Sequence, residues 1–369
     1  MNKLIVGFTE LHGISKECME YPPDGVKYVL VKSKKYFTDY IISSSAKGVF
    51  SFFEGNDVDI IEAPLFPVVT NKKWIYTPAD IYTPLNFKLL KIPIPQPIKM
   101  VLINIFFSQK NLRKILFKSI EGKNSFLKYE KYFSKDVVEK VDVVYPAIRR
   151  VEDELISFND NRVNFLFSGD FFRKGGAQVV DAFEVLQKKY NNISLRICSH
   201  ESLGTGNKLL RNKYLYKIKN NPSILLGFVD RSEMINNILP NTDIFVSPTF
   251  AETFGFAILE AMAYGIPVIS TNIFAIPELV EHGENGFLID VSAHQFVQKA
   301  QNYIINDIPE LFHHYLVSEI HKYMSILVDD CAMRRKFGLK SLEIARSKFS
   351  FEIRNKKMKK IYEDCLRDA

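Results

Sequence analysis

The sequence has few cysteines, and they are far apart. The four cysteines are Cys18, Cys198, Cys331 and Cys365, and no two of them form a Cys-x-x-Cys pair. Such scattering disfavours both a disulfide framework and a structural zinc site. It is typical of proteins that work in a reducing compartment.

Long apolar runs are also missing. The longest charge-free apolar stretches are interrupted by Pro, Gly or Asn, which disfavours a membrane-spanning helix. The N-terminal stretch MNKLIVGFTELHG has charged residues too early for a secretory signal peptide. We therefore expect a cytoplasmic protein, or one bound peripherally to the cytoplasmic face of a membrane.

Acidic residues are absent from one stretch, residues 81–120. The same stretch holds seven basic residues among many apolar ones. These are Lys88, Lys91, Lys99, Lys110, Arg113, Lys114 and Lys118. A cationic surface mixed with apolar side chains binds anionic bilayers, and each basic residue contributes roughly 1 kcal/mol. The stretch therefore predicts an anionic membrane surface as a partner; the alternative is a buried strand and helix whose lysines only reach solvent.

Charge is unevenly distributed along the chain. Residues 1–150 hold 23 Lys and Arg against 15 Asp and Glu, whereas the remaining residues hold 26 against 27. A basic half can indicate nucleic-acid binding, but no motif of the usual nucleic-acid-binding modules accompanies this charge. Nucleic acid is therefore not an expected partner.

The pattern of predicted elements favours two α/β domains. The chain has 369 residues, 47% of them hydrophobic and 25% charged, which suits a globular protein with two cores. The second half alternates β-rich runs with helical periodicity, which predicts βαβ units in a parallel, doubly wound sheet. Its predicted strands are 163–169, 193–199, 223–229, 242–248, 267–271 and 286–290, and its predicted helices are 175–190, 231–239, 255–265 and 276–283.

The first half shows the same alternation less clearly. Pro146 closes its last predicted strand, and the polar stretch 149–162 is the predicted linker. The predicted strands of this half are 4–8, 26–31, 58–64, 73–78 and 141–148. We therefore expect two Rossmann-like domains facing a cleft, the first comprising residues 1–148 and the second beginning at 149.

One apolar stretch, SPTFAETFGFAILEAMAYGIPVIST (247–271), contains two carboxylates, Glu252 and Glu260. An isolated carboxylate in apolar surroundings costs several kcal/mol unless something pairs with it. A polar ligand would explain both carboxylates. The alternatives are an ordinary helix carboxylate for Glu260 and an acid near a helix start for Glu252.

The position of this stretch suggests which ligand. A predicted strand ends at Pro248 and a predicted helix begins at Gly255, so the loop between them lies at the carboxyl end of a strand, where such sheets bind ligands. The amides from about Phe254 to Ala257 carry partial positive charge and suit a phosphate. Acids beside an anion seat suit sugar hydroxyls, so the pattern indicates a nucleotide sugar.

A second cluster, FSGDFFRKGGAQ (167–178), has the same layout. Gly169 ends a predicted strand, and Arg173 and Lys174 follow before a helix opens. Two cations at the mouth of a parallel sheet suit a diphosphate. No GxxxxGK[ST] sequence is present, so the cluster is not a P-loop.

These motifs resemble the signature of retaining glycosyltransferases of the GT-B fold, family 4 (glycosyl transferases group 1). That signature has two glutamates separated by seven residues and followed by Ala-Met-Ala-x-Gly-x-Pro-Val, and Glu252 and Glu260 occupy its glutamate positions. The resemblance covers about residues 141–350. Residues 347–369 are similar to the family's final helix, which returns to the N-terminal domain, so the expected second domain is 149–346.

The resemblance implies a role for each site residue. Glu260 would accept hydrogen bonds from the ribose, Glu252 would contact the donor sugar, and Arg173 with Lys174 would neutralise the diphosphate. WIYTPADIY (74–82) is similar to the acceptor-side strand, so Asp80 would lie near the reacting centre; the alternative is a helix cap. His12 would contact the leaving phosphate. The remaining implied donor-binding residues are Gly169, Phe228, Val229, Thr253, Phe254, Gly255 and Phe256.

The family usually needs no metal, so no cofactor is expected besides the nucleotide-sugar donor. The acceptor would be a saccharide or a lipid-linked saccharide. Two departures from the family pattern stand out: Asp170 follows Gly169 where many relatives have Arg, and the N-terminal glycine-rich loop is reduced to FTELHGIS (8–15). The alternatives are a catalytically silent relative and another GT-B enzyme, such as a nucleotide-sugar epimerase or a glycogen-type synthase.

Overall fold

The computed structural model describes residues 3–11, 15–33, 42–44, 51–54, 57–90, 92–158, 162–294 and 308–367. The chain divides into two compact units. Unit 1 comprises Met1–Arg149 and Lys348–Ala369, and unit 2 comprises Arg150–Ser347. The C-terminal residues therefore belong to the same unit as the N-terminal ones.

Unit 1 is built on a six-stranded parallel sheet with the order β11-β10-β7-β5-β1-β2. Two smaller sheets accompany it, one antiparallel with the order β3-β8-β9 and one of β4 with β6. The strands are β1 Leu4–Phe8, β2 Val26–Leu30, β3 Ile42–Ser44, β4 Phe52–Phe53, β5 Ile60–Ala63, β6 Val69–Thr70, β7 Trp74–Tyr76, β8 Phe87–Leu89, β9 Ile92–Pro93, β10 Leu112–Phe117 and β11 Val141–Val143.

Unit 2 is built on a second six-stranded parallel sheet, with the order β14-β13-β12-β15-β16-β17. Its strands are β12 Val163–Ser168, β13 Ile193–Cys198, β14 Ile224–Leu226, β15 Ile244–Ser247, β16 Val268–Thr271 and β17 Gly286–Ile289. The expectation of two Rossmann-like parallel-sheet domains is confirmed.

Most helices lie between strands along the chain, and the last three follow β17. They are α1 Ser15–Glu20, α2 Tyr82–Leu85, α3 Gln96–Phe107, α4 Ile120–Leu127, α5 Lys135–Glu139, α6 Gly176–Leu186, α7 Lys208–Lys219, α8 Arg231–Glu233, α9 Phe256–Ala263, α10 Glu310–Asp329, α11 Cys331–Lys348 and α12 Phe351–Arg367. In the described part of the chain, none of these helices combines the length and the hydropathy that crossing a bilayer requires.

The central strands of unit 1 are buried on both faces. All residues of β5 and β7 are buried. Helices cover both faces of a parallel sheet, so its strands are mostly apolar rather than alternating, and Glu62 is the exception in β5.

The basic, apolar stretch 81–120 falls into a buried part and an exposed part. β10 belongs to the sheet, with Leu112, Ile115 and Leu116 buried. The Arg113 Nε donates to the Cys365 carbonyl oxygen (3.4 Å), and Lys118 lines a small cavity at the carboxyl ends of the strands. For β10, the alternative of a buried strand therefore holds. The exposed part is α3 with the β8–β9 hairpin.

A buried polar cluster attaches α12 to the sheet of unit 1. Glu62, in β5, accepts hydrogen bonds from the Tyr362 hydroxyl and from Thr77 Oγ1, and Arg354 Nη2 lies 4.0 Å from its Oε1. Arg354 and Tyr362 project from α12, and the side chains of Glu62 and Arg354 are under 10% exposed. The Tyr362 hydroxyl also meets the Tyr28 hydroxyl at 3.1 Å. A carboxylate buried this deeply is stable only because these groups surround it.

We expect Arg354→Met to lower the free energy of unfolding of unit 1 by about 3–5 kcal/mol, because it leaves the Glu62 charge with less compensation. Trp74 is the single tryptophan of the sequence and is fully buried in β7. Its fluorescence during urea unfolding therefore reports on unit 1.

Lys357→Met is the matched control on the same helix. Lys357 pairs with Asp142 at 3.2 Å, but both side chains are about half exposed. Its loss should change the free energy of unfolding by no more than about 1 kcal/mol. Equal effects of the two substitutions would show that the buried cluster does not stabilise the unit.

Candidate functional site

The strand order of unit 2 places a switch point between β12 and β15. From β12 the chain builds the sheet first towards β13 and β14, and later from β15 towards β17 in the other direction. Loops that leave two such strands at their carboxyl ends diverge and open a crevice, which is where these sheets bind ligands. The two loops here are 169–175 and 248–255, the same segments that the sequence singled out.

Backbone contacts hold these two loops together. The Phe250 amide donates to the Arg173 carbonyl oxygen (3.1 Å). Gly175 has a φ of +82°, and a Cβ there would lie 2.4 Å from the Pro248 carbonyl oxygen. Only glycine meets both conditions, so Gly175 allows the two loops to touch. Gly255 precedes α9 with a φ of +103°.

Lys174 and Glu252 form an ion pair between the two loops. The Lys174 ammonium donates to Glu252 Oε2, and the two side chains are only 13% and 17% exposed. The Thr253 amide donates to Glu252 Oε1 (3.0 Å), and the Phe254 amide lies 3.5 Å from the same oxygen.

The ion pair keeps Glu252 ionised. Burial alone would raise the pKa of Glu252, but the charge and hydrogen bond of Lys174, with the two amides, outweigh it and leave this pKa below its ordinary value. The sequence predicted Glu252 and Lys174 as separate contacts to the donor. The structure brings them into contact with each other.

Arg173 points to a different partner. Its Nε lies 3.6 Å from Asp170 Oδ2, and its amide donates to Asp170 Oδ1 (3.3 Å). The Arg173 side chain is 48% exposed. Asp170, the departure from the family pattern, therefore orients the neighbouring arginine, and Arg173 is more accessible than Lys174 to an incoming anion.

Glu260 meets a residue that the sequence interpretation missed. The Arg231 Nη1 donates to Glu260 Oε1 at 2.6 Å; the Glu260 side chain is 23% exposed and that of Arg231 53%. Arg231 opens α8, and Asp230 caps this helix by accepting from the Glu233 amide (2.8 Å). The only sequence signal for Arg231 is its place in GFVDRSEM (227–234), which resembles the segment beside the nucleotide base.

The other predicted donor-binding residues differ in what they expose. Phe228 is 75% exposed, whereas the Phe254 side chain is fully buried, so Phe254 could contact a ligand only through its backbone. Val229 and Phe256 are partly exposed, and Thr253 is exposed. Gly169 directly follows β12, and its amide donates to the Cys198 carbonyl oxygen (3.1 Å). The start of α9 has no side-chain cap, since its N-cap is Gly255.

Asp80 lies in unit 1, two residues before α2, where its side chain binds the first turn of that helix. Its Oδ1 accepts from the amide and the hydroxyl of Thr83, at 2.8 and 2.9 Å, at the start of α2. This is the geometry of the alternative interpretation, and a role near the reacting centre stays a prediction. His12 lies outside the described residues.

Metal binding has no support among the described residues, where no cluster of three or more His, Cys, Asp or Glu side chains could hold an ion. One Asp-x-Asp sequence exists, Asp57 to Asp59, but it precedes β5 at the amino ends of the strands, and Asp59 Oδ2 accepts from the Ile5 amide (2.7 Å). Metal independence stays a prediction.

We expect Lys174→Met to lower the thermal stability of unit 2 in a pH-dependent way. Because the folded-state pKa of Glu252 lies below its ordinary value of 4.5, the ion pair adds stability above that pH and loses it as the pH falls through the folded pKa. The difference in Tm between wild type and Lys174→Met should therefore be largest near neutral pH and shrink in acid.

Circular dichroism melts from neutral to acidic pH would measure this difference. Lys174→Arg keeps the positive charge and should retain most of the stability at neutral pH. A difference between wild type and Lys174→Met that stays constant with pH would contradict the ion pair as its cause.

Comparison with known proteins finds a family that the residues of this site resemble. Residues 149–315 match the family model described as Glycosyl transferases group 1. A segment of 134 residues is 30% identical to the capsular polysaccharide biosynthesis glycosyltransferase CapM of Staphylococcus aureus, covering 36% of this chain and 34% of CapM. The match thus spans about a third of that relative's length.

Solved structures are similar over the whole chain. A glycosyltransferase from Rickettsia africae has a TM-score of 0.66 at 15% identity, with all of both chains covered. HepE of Anabaena, solved with UDP and glucose, has a TM-score of 0.61 at 15% identity, covering 97% of this chain and 91% of HepE. Identities this low show the fold, which is GT-B. The chain therefore has the GT-B fold, and its residues 149–315 match the glycosyl transferases group 1 family model.

Proposed function

We propose that this chain transfers a sugar from a nucleotide-diphosphate-sugar donor to a saccharide or lipid-linked acceptor. One observation carries the proposal: the two loops at the switch point of unit 2 hold the ion pairs Lys174–Glu252 and Arg173–Asp170 beside a helix start without a side-chain cap, and Glu260 of that helix pairs with Arg231. Both the family match of residues 149–315 and the complex of HepE with UDP and glucose support this assignment.

The diphosphate would meet the positive groups of the site. Arg173 is half exposed, and α9 begins without a side-chain cap. Oriented amides and a nearby guanidinium stabilise negative charge without rearranging during the reaction. Lys174 is already paired with Glu252, so we assign it to holding that carboxylate in place and Arg173 to the leaving group.

The ribose would meet Glu260. Arg231 occupies one oxygen of this carboxylate, Oε1. Its other oxygen, Oε2, is the atom we assign to the ribose hydroxyls. The exposed ring of Phe228 offers an apolar face to the base. Glu252, held as a carboxylate, would contact the donor sugar.

We further propose that the transfer retains the anomeric configuration and needs no metal. Retention is what the resemblance to GT-B family 4 implies. Metal independence is consistent with fixed positive groups, Arg173 and the start of α9, at the position of the developing diphosphate charge. The acceptor would be bound by unit 1.

The first test is the binding of nucleoside diphosphates without added metal. UDP, GDP, ADP and dTDP are compared by thermal shift; a ligand at a hundred times its Kd stabilises the folded state by about 2.7 kcal/mol. We expect one base to be preferred. Glu260→Gln should weaken the binding of that diphosphate by on the order of tenfold, because a hydrogen bond to a charged group contributes about 1.5–3 kcal/mol.

A deoxyribose analogue sharpens this test. Wild type should bind the preferred diphosphate more tightly than its 2′-deoxy form, and Glu260→Gln should bind the two more equally. Glu310→Gln is the control, because the Glu310 side chain, in α10, is 89% exposed. If no nucleotide binds, or Glu260→Gln behaves like wild type, the proposal fails. If one nucleotide is preferred, slow hydrolysis of its sugar conjugate separates an enzyme from a silent binder.

Arg231 should act through Glu260. We expect Arg231→Met to weaken nucleotide binding by no more than about fivefold, because half-exposed ion pairs contribute little. The same change in the Glu260→Gln background should have almost no effect, since residues that act as one unit are not additive. Additive effects in this double-mutant cycle would show that Arg231 contacts the nucleotide independently.

A further inference from the structure

We propose that unit 1 docks on an anionic bilayer through α3 and the β8–β9 hairpin. Six large apolar side chains of this region are between 41% and 65% exposed. We call them the α3 surface, and they are Leu89, Leu90, Ile92, Ile98, Val101 and Ile105. The inference goes beyond sugar transfer and does not depend on it.

The first observation is that α3 is apolar on both sides. Met100, Ile103 and Phe107 are fully buried against the core of unit 1. Ile98, Val101 and Ile105 follow the three- and four-residue spacing of a single helix face, and they point outwards. A helix on the surface of a globular protein ordinarily has polar residues on that outer face.

The one charged side chain of α3 does not cover its exposed apolar residues. The one charged residue of α3 is Lys99, and its ammonium donates to the Leu85 carbonyl oxygen (2.7 Å). The same ammonium lies 5.3 Å from the centre of the Phe87 ring, in β8. Lys99 thus turns towards the hairpin, and the first turn of α3 lies beside β8.

The second observation is an unusual leucine in the hairpin. Leu90 follows β8 with a φ of 48° and is 62% exposed. A left-handed conformation is unfavourable for a residue with a Cβ, and turns with positive φ ordinarily have glycine, asparagine or aspartate. Leucine is unfavourable at this position for two reasons: its backbone is left-handed, and its apolar side chain is exposed to water. Such local conflicts are expected at functional positions.

The charge around the α3 surface indicates which kind of partner binds there. Lys88, next to Leu89 in the chain, and Lys110, three residues after the end of α3, are both exposed, and residues 81–120 contain no acidic residue. A second copy of the chain packed face to face would bring these lysines together, which is repulsive. An anionic bilayer satisfies both the lysines and the apolar side chains.

The length of α3 fits a helix that lies in the membrane interface. Twelve residues of helix extend about 18 Å. The hydrocarbon core is about 30 Å thick, so α3 would lie along the bilayer surface rather than span it.

The test is flotation of the full chain with vesicles, without nucleotide. One set contains phosphatidylcholine alone, and the other includes about 30% phosphatidylglycerol. Wild type should float with the anionic vesicles and much less with the neutral ones. Replacing Ile98, Val101 and Ile105 by serine together should lower vesicle binding by on the order of tenfold or more.

Unit 2 provides a matched control. Leu209, Tyr216 and Leu225 are between 60% and 84% exposed, so replacing all three by serine removes a similar amount of exposed apolar surface elsewhere. This variant should float like wild type. Trp74 fluorescence during urea unfolding should show that unit 1 remains folded in the α3 variant.

Leu90→Asn separates docking from folding. Asparagine tolerates a positive φ better than leucine does, so this variant should unfold at the same or a higher temperature. It should nevertheless bind anionic vesicles more weakly. A purely structural role of Leu90 predicts no loss of vesicle binding.

Three results would overturn the proposal. Wild type could fail to float with anionic vesicles, or the α3 variant could float as well as wild type. Light scattering could also show a wild-type dimer that the α3 variant abolishes, which would make the surface an interface between copies. In each case the nucleotide experiments remain separate, because vesicle binding is measured without nucleotide.

Discussion

The ion pair between Lys174 and Glu252 is the interaction on which the site of unit 2 depends. Both side chains are more than four-fifths buried, and neither charge would be stable there alone. Their contact ties the loop after β12 to the loop after β15, so the crevice at the switch point has a defined wall. Gly175 makes the contact sterically feasible, because a Cβ at that position would collide with Pro248.

Unit 1 contains a buried carboxylate too, but with a different role. Glu62 is surrounded by Tyr362, Thr77 and Arg354, and its two oxygens are bound by groups of the fold itself. Glu260 pairs instead with a half-exposed arginine at the rim of the sheet. The first arrangement stabilises the attachment of α12; the second leaves a carboxylate oriented and accessible. Burial of a charge therefore does not identify a ligand site unless part of the group remains accessible.

The sequence predicted the parts of the structure that local patterns control. The alternation of strands and helices predicted two parallel sheets. The strand–loop–helix pattern predicted that both loops of unit 2 lie at the carboxyl edge of their sheet. Contacts between distant residues could not be predicted in this way. Arg231 meets Glu260 across 29 positions and Tyr362 meets Glu62 across 300, and no periodicity encodes such pairs. For Asp80, the sequence permitted a cap or a site residue, and only the position of Thr83 shows the cap.

Composition also could not tell which apolar residues of stretch 81–120 are covered. Ile115 and Leu116 of β10 are as apolar as Ile98 and Val101 of α3, yet the first two are buried in a sheet and the other two are exposed. This difference bears on the acceptor. A docked enzyme and a lipid-linked acceptor share one surface and meet at a high effective concentration. A free saccharide would gain nothing from docking, and the α3 surface would then have no counterpart in the reaction. Vesicle binding by unit 1 would therefore favour the lipid-linked acceptor of the two that the proposed function allows.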